Sequence, residues 1–318
     1  MLSAGLDSIL NVIVSMRLRE NTRRYKAYLG NQPNYATPRT WTEKMQWRKA
    51  FDRNPIFPVF CDKLAAREYV RRRAPELQMA EVLWSGHRPE DLPFDALSPP
   101  FIVKPSHRSR AYIKVLAGDA VDRDAIVRRC HFWLKRPYGT KIAEWAYKKI
   151  KGQVIVERYL TAFDQEPSAL DFRFFCFSGR VAFVQIENAT SGSNLKSFVG
   201  RSGEHLELKK WRPRLGLSTA DAKGVLFSNL PASFPEMVCK AEQLAVGLDH
   251  LRVDFYCYGE NYWFSELTVY GGSGYSFLHP TNDQFGEKPS ECHNMEIGEL
   301  WNLPELSYWQ KFYRAIFR

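Results

Sequence analysis

The 318-residue sequence predicts an α+β fold, and three observations carry that assignment. Helical patterns fill the first part, strands and helices alternate in the middle, and hairpins dominate the last third. That order suits lobes with segregated helices better than one doubly wound parallel sheet. A content of 45% hydrophobic and 14% aromatic residues supplies a packed core, not a disordered chain.

Residues 1 to about 50 read as helical. In "LDSILNVIVSMRLRENTRRYKAYL" the first half is amphipathic and the second is basic. This segment either packs on the rest of the protein or lies on an anionic membrane surface. "TPRTWTEKMQWRKAF" carries a helix start at Thr42, with an acid close behind and Trp47 on the apolar face. A proline-punctuated entry then leads to a helix beginning near Asp62, a good capping residue. Short strands come next at "MAEVLW", "PPFIVKPS" and "AYIKVLAG", and helices at "DRDAIVRRCHFWLKR" and "GTKIAEWAYKKIKG". "QVIVERYL" is an apolar strand ending in Glu157. "ALDFRFFCFSGRVAFVQIEN" predicts a hairpin turning at Ser178-Gly179. A helix stopped by Gly247 separates it from a second hairpin, "HLRVDFYCYGENYWFSELTVY".

The formal net charge of +10 favours an acidic partner: nucleotide, nucleic acid, polyanionic glycan or anionic lipid. Much of the excess is local, in "MRLRENTRRYK", "REYVRRR" and "KKWRPR", each a contact surface or simply a solvated face. The six cysteines are scattered, without C-x-x-C or metal-like spacing, and read as reduced residues of a cytoplasmic protein. No run of eighteen apolar residues and no leader-like start is present, so neither a membrane span nor a signal peptide is expected.

The second hairpin holds the strongest local signal. With its turn centred on Glu260, Asp254 lies opposite Glu266, and Arg252 opposite Thr268. Facing carboxylates have Cβ atoms only about 5 Å apart and repel. Flanked by Val253, Phe255 and Phe264, they call for a compensating cation, and Mg²⁺ suits an all-oxygen site. A one-residue slip would send the acids to opposite faces. The alternative is a polar stripe facing solvent. Lys104 ends an apolar strand and Lys63 opens a helix, so each is either a phosphate ligand or a surface lysine. Glu157, with Tyr159 and Leu160 behind it, offers an acceptor for a purine amino group or a cap for the next turn. His107 and His279 flank these regions, whereas the histidines as a set, His293 included, show no ligand spacing.

In this order, the positions resemble the ATP-grasp superfamily, and more closely the TupA-like ATP-grasp proteins associated with bacterial cell-surface polysaccharide biosynthesis. The likeness runs from "TWTEKMQWRKAFDRNPIFPVFCDKLAAREYV" through "FIVKPSH", "EWAYKKIKGQVIVERYL" and "DFRFFCFSG" to "LRVDFYCYGENYWFSELTVYGGSG". It covers roughly residues 35–280, and its last two motifs are the most specific. It implies two α/β lobes clasping ATP behind a helical N-terminal segment. The divisions expected are 1–58, 59–156 and 157–318, the last holding the metal site and a C-terminal tail.

The resemblance also implies roles. Lys63 and Lys104 would hold phosphates, Glu157 would meet adenine beside the Tyr159 and Leu160 backbone, and Asp171 would bind ribose. Asp254 and Glu266 would be the magnesium pair, with Thr268 standing where many relatives carry an asparagine ligand. Arg252 would stabilise transition-state charge, with Lys104 and Arg173 completing the catalytic set. In the family, the loop after Lys104 usually bears glycine and closes over the triphosphate. Here Ser106, His107 and Ser109 keep polar donors, while Arg108 and Arg110 stand in place of glycines. Those arginines clamp phosphate, recruit an acidic acceptor, or mark an inactive loop.

The implied activity is an ATP- and Mg²⁺-dependent carboxylate–amine ligation through an acyl phosphate. It would join an amine or amino acid to a uronic-acid-bearing cell-surface polysaccharide or its precursor, an acidic glycan acceptor. A kinase of a sugar or lipid-linked glycan uses the same fold and stays open. A non-enzymatic polyanion-binding module is a third reading, although no nucleic-acid motif is present and no specific nucleic-acid partner is expected. The location implied is cytoplasmic, with peripheral contact to membrane-associated biosynthetic machinery at the inner face. "TVYGGSGYS" would be a flexible, N–H-rich segment on the acceptor side, or a plain glycine turn.

Overall fold

The N-terminal helices form where the hydrophobic pattern puts them. A computed structural model describes residues 2–160, 169–188, 196–212, 217–218, 230–280 and 291–306. In it, α1 (Leu2–Arg17) and α2 (Arg19–Leu29) precede α3 (Trp41–Phe51). The cap of α3 is Thr40, two residues before the expected Thr42. Glu43 is the reason: its amide donates to Thr40 Oγ1 at 3.2 Å and its carboxylate accepts from the Thr40 amide at 3.1 Å. This reciprocal box needs an acid three residues after the cap, and Thr42 has none. Thr42 is buried instead, its hydroxyl paired with Tyr25 and Asn294. α4 (Phe57–Cys61) then leads to α5 (Lys63–Arg73), which Asp62 caps by accepting from the amides of Leu64 and Ala65.

The first sheet contains β1 (Val82–Gly86), β2 (Phe101–Pro105), β3 (Ile113–Val115) and β4 (Val154–Arg158), in the order β1-β4-β2-β3. All its pairings are antiparallel. α6 (Arg123–Lys135) covers it, packing Ile126, Cys130 and Trp133 on Phe101, Val103 and Val115. The helix expected over "GTKIAEWAYKKIKG" is absent, replaced by two short 3₁₀ turns. Gly139 and Ala143 both take left-handed conformations, which breaks the run, and Glu144 and Ala146 turn inward.

The second sheet is built from β5 (Leu170–Phe177), β6 (Arg180–Asn188) and β7 (Ser197–Gly200), together with two later strands. After β8 (Leu208–Arg212), β9 (Leu217–Ser218) and α7 (Phe234–Ala245), the chain forms β10 (His250–Tyr258) and β11 (Asn261–Thr268). The sheet order is β11-β10-β5-β6-β7, while β12 (Phe277–Pro280) joins β8 and β9 in a small third sheet ahead of α8 (Glu291–Glu299). The first hairpin turns at Ser178-Gly179, as expected. Both residues have positive φ, the geometry that matches the twist of a two-residue hairpin.

Strand alternation gives this sheet two faces. Phe172, Phe174, Val253 and Phe255 meet α7 through Phe234, Met237 and Ala241, forming the main core. The opposite face divides along its length. At one end Phe175 and Phe177 stack on His250, joined by Trp301. There the buried Arg48 of α3 donates to the His250 carbonyl at 2.9 Å and to Asp249 at 2.6 Å. The other end is charged, and it carries the site.

Among the described residues no helix is long and apolar enough to cross a membrane. Cys61, Cys130, Cys176, Cys239 and Cys257 are free thiols, and Cys292 lies outside the described side chains. So do those of "KKWRPR", His279 and His293, and the C-terminal tail lies outside from residue 307 onward.

Candidate active site

The predicted pairings hold: Asp254 faces Glu266 and Arg252 faces Thr268. They arise by a different route. The turn is a two-residue one at Gly259-Glu260, with Tyr258 opposite Asn261. That register alone would set Asp254 against Ser265. A one-residue bulge at Ser265 restores the facing acids and re-aims Glu266.

The charged face is buried along β10, where Arg252 and Asp254 lie, and opens to solvent along β11, where Thr268 is half-buried and the Glu266 side chain is 41% exposed. Asp254 is only 2% exposed. The compensating cation within the chain is Arg252. Its guanidinium donates to both Asp254 oxygens at 2.7 and 2.5 Å, to Glu266 at 3.0 Å and to Thr268 Oγ1 at 3.0 Å. Desolvation pushes the Asp254 carboxyl up to about 7 against the pull of Arg252. Burial also works to raise Glu266, but Arg252, Lys63, the Thr268 hydroxyl and Arg173 outweigh it and hold that carboxyl below its usual range.

Asp171 and Arg173 join this face from β5, opposite Tyr256 and Asp254. Arg173 donates to Asp171 Oδ2 at 2.6 Å and lies 4.0 Å from Asp254 Oδ2. Asp171 Oδ1 is buried and has no hydrogen-bond partner among the described residues. Glu187 on β6, ion-paired with Arg173 and Lys196, belongs to the same face and escapes the sequence reasoning. A second bulge, at Ala182, moves Glu187 opposite Asp171; without it the turn would place Glu187 opposite Leu170. No short motif announces that bulge.

The first sheet supplies the other half. Lys104 projects from β2 and meets Glu157 of β4 at 2.5 Å. Glu157 is buried and also accepts from Arg67 of α5 at 3.1 Å. Tyr159 is buried, with its hydroxyl 2.7 Å from Lys114 Nζ and its amide on the Pro100 carbonyl. Leu160 is the last described residue before a gap at 161–168. Lys63 opens α5 and feels the charges of both halves: Lys104 and Glu157 from one, Glu266 from the other. Desolvation, then the Lys104 charge, lowers its ammonium to about 8.

The glycine-free loop is held from within. Ser106 is fully buried, donating to Asp62 at 3.2 Å and exchanging bonds with Gln153. His107 is buried against Gly152, where a Cβ would strike its ring. Burial, then the charge of Arg108, keeps this imidazole below its usual pKa. Arg108 donates to the Trp133 and Arg136 carbonyls behind the loop, while its own carbonyl accepts from Lys63 Nζ at 2.5 Å. Ser109 pairs with Tyr138. Arg110 is exposed with φ 55°, the left-handed conformation glycine takes freely. Of the two arginines, only Arg110 therefore sits in glycine's backbone geometry.

"TVYGGSGYS" is neither open nor slack. Gly272, Ser273 and Gly274 all have positive φ, and Gly274 lies so close to Met45 and Gln46 that a Cβ would clash. The buried Lys49 of α3 donates to the Ser273 carbonyl at 2.7 Å and to its hydroxyl at 3.0 Å. That hydroxyl in turn donates to Glu144 at 2.5 Å. Burial pushes Glu144 up to about 7 and Lys49 down to about 7.

The donor set of Asp254, Glu266 and Thr268 is all oxygen, the kind Mg²⁺ takes with one or two carboxylates, water and phosphate. The Arg252 guanidinium that now bonds all three would have to yield an Asp254 oxygen for both acids to hold the ion. Among the described residues no cluster of three or more His, Cys, Asp or Glu forms a metal cage.

The TupA-like ATPgrasp family model matches residues 43–288, and the chain belongs to that family. It matches none of the curated proteins by sequence. Among solved structures, an L-amino acid ligase from Bacillus licheniformis is 14% identical at TM-score 0.41, over 67% of this chain and 44% of that one. A D-alanine–D-alanine ligase from Bacillus anthracis is 13% identical at TM-score 0.37, over 81% of this chain and 66% of that one. The ATP-grasp ligase PsnB, complexed with a precursor variant, Mg and ADP, is 14% identical at TM-score 0.37, over 77% and 58%. The chain thus spans 44% to 66% of the length of these ligases. Likenesses this distant carry no argument of their own; the family match does.

Proposed function

We propose that the protein is an ATP- and Mg²⁺-dependent carboxylate–amine ligase. The observation that carries this reading is the hydrogen-bonded Arg252–Asp254–Glu266–Thr268 face, with Lys63 in electrostatic reach of both that face and the Lys104–Glu157 pair. Asp254, Glu266 and Thr268 would hold the metal, and Lys63 and Lys104 the phosphates. Asp171, with a buried oxygen that has no hydrogen-bond partner among the described residues, suits a ribose hydroxyl. Glu157 would meet the adenine amino group. Bound Mg²⁺ supplies charge neutralisation at the transferring phosphoryl group.

In the proposed reaction, a substrate carboxylate oxygen attacks the γ-phosphorus while the bond to ADP breaks, giving an acyl phosphate. An amine nitrogen then attacks the acyl carbon, phosphate leaves, and the amine proton passes to solvent. Arg252 and Arg173 offset the negative charge that builds on the transferring oxygens. The acceptor we propose is a uronic-acid-bearing cell-surface glycan or its precursor, and the amine an amino acid or simple amine. The net charge of +10 suits such an acidic acceptor. The test is Mg²⁺-dependent ADP release that requires carboxylate and amine together, with free phosphate as co-product. Transfer of the γ-phosphoryl group to a sugar hydroxyl without amine, with ADP released and phosphate left on the product, would replace the ligase with a kinase.

A further inference from the structure

α1 has two apolar faces, and the fold uses one. Leu10 and Val14 are buried with Tyr35, Trp47 and Phe51. On the other side, Leu6, Ile9, Ile13 and Met16 have a spacing of three, four and three residues, which keeps them on one stripe. Val12, three residues after Ile9, widens it. Leu6, Ile9, Val12 and Met16 are 43%, 55%, 56% and 74% exposed, with no charged residue among them. Isolated exposed apolar residues are ordinary; a continuous stripe of them marks a contact surface.

The basic border of the stripe indicates its partner. Arg17, Arg19, Arg23 and Lys26 are all exposed, and Glu20 is the one acid in α2. A second copy of the chain docked on this face would set one basic cluster beside another, in a molecule already carrying +10. An anionic bilayer meets both features at once, apolar stripe and basic border. At 16 residues, α1 is about 24 Å long, too short to cross a bilayer.

We propose that α1 lies in the plane of an anionic lipid surface, its Leu6–Ile9–Val12–Met16 stripe at the acyl boundary and Arg19, Arg23 and Lys26 on the lipid phosphates. The test is co-sedimentation of the full chain with phosphatidylcholine vesicles, with and without phosphatidylglycerol, at low and high salt. Partition should require phosphatidylglycerol and weaken with salt. Ile9→Asp and Met16→Asp should each reduce it about tenfold. Arg19→Glu/Lys26→Glu should reduce it by at least about fivefold per site while leaving the apolar stripe intact. Circular dichroism and the unfolding midpoint check the fold of each variant. If the stripe variants misfold, the basic double variant decides. Absence of partition at low salt overturns the proposal, as does unchanged partition of the variants. A dimer that the same stripe substitutions split would assign the face to a second copy instead.

Discussion

Two charge clusters meet at the end of β11, and they obey opposite rules. In the first, Asp171, Glu187, Asp254 and Glu266 are set against Arg173, Arg252 and Lys196, and one buried Asp171 oxygen has no hydrogen-bond partner among the described residues. In the second, five residues further along, one base and one acid share Ser273, and Lys49 also bonds Asn21 and Gln46. Unsatisfied buried polar groups are costly, so they persist where a ligand completes them. A satisfied network fixes backbone instead. Here it locks the left-handed Gly272-Ser273-Gly274 turn onto α3, immediately after the metal-ligand candidates.

The largest expected effect separates the clusters by kind. Asp254→Asn keeps the shape of the face but removes a carboxylate, and Mg²⁺-dependent ADP release should fall about a hundred- to a thousandfold. Lys49→Met should act on stability instead. Removing the buried ammonium takes the donor from the Ser273 carbonyl and from the Asn21 and Gln46 oxygens, which costs about 3 kcal/mol, seen as a lower urea midpoint.

The acid of this cluster should confer a pH dependence. The Glu144 carboxyl sits at about 7 in the folded protein, above its ordinary value, so the folded state binds the extra proton. The stability it contributes is present at low pH and lost as pH rises from about 4.5 through 7. The wild type should therefore lose stability relative to Glu144→Gln across that window. A difference that stays flat with pH would remove this cluster from the account.

The smallest effects sharpen the contrast through one backbone conformation. Arg110 and Ser273 both have left-handed φ, 55° and 59°. Arg110→Gly should raise the unfolding free energy by about 0.5–1 kcal/mol, since it relieves strain and breaks no side-chain hydrogen bond or ion pair to the described residues. Ser273→Gly relieves the same strain yet should lower stability by about 1 kcal/mol, because its hydroxyl bridges Lys49 and Glu144. Equal signs for the two would mean that the second cluster does not hold the turn.

Legibility differed between these regions for a physical reason. Local grammar was readable: Asp62 capping α5, the Ser178-Gly179 turn, and the lysine that β2 delivers. The site pairing of Asp254 with Glu266 was readable only because a turn assumed one residue too long cancelled an unseen bulge at Ser265. The Glu187 position was not readable, because the Ala182 bulge leaves no sequence mark. Nor was the Lys49–Glu144 pair, whose members lie 95 residues apart and look like ordinary surface charges.

The sequence by itself determined the α+β class, the order of most elements, and which strands deliver acids and lysines. Those come from periodicity, caps and turn chemistry, all short-range. Only the tertiary structure decided that Arg252 is the cation between the acids, that Arg108 points behind its loop, and that the glycine turn is clamped. Each depends on which distant side chains share a desolvated volume, where burial rather than spacing sets the energy of a charge.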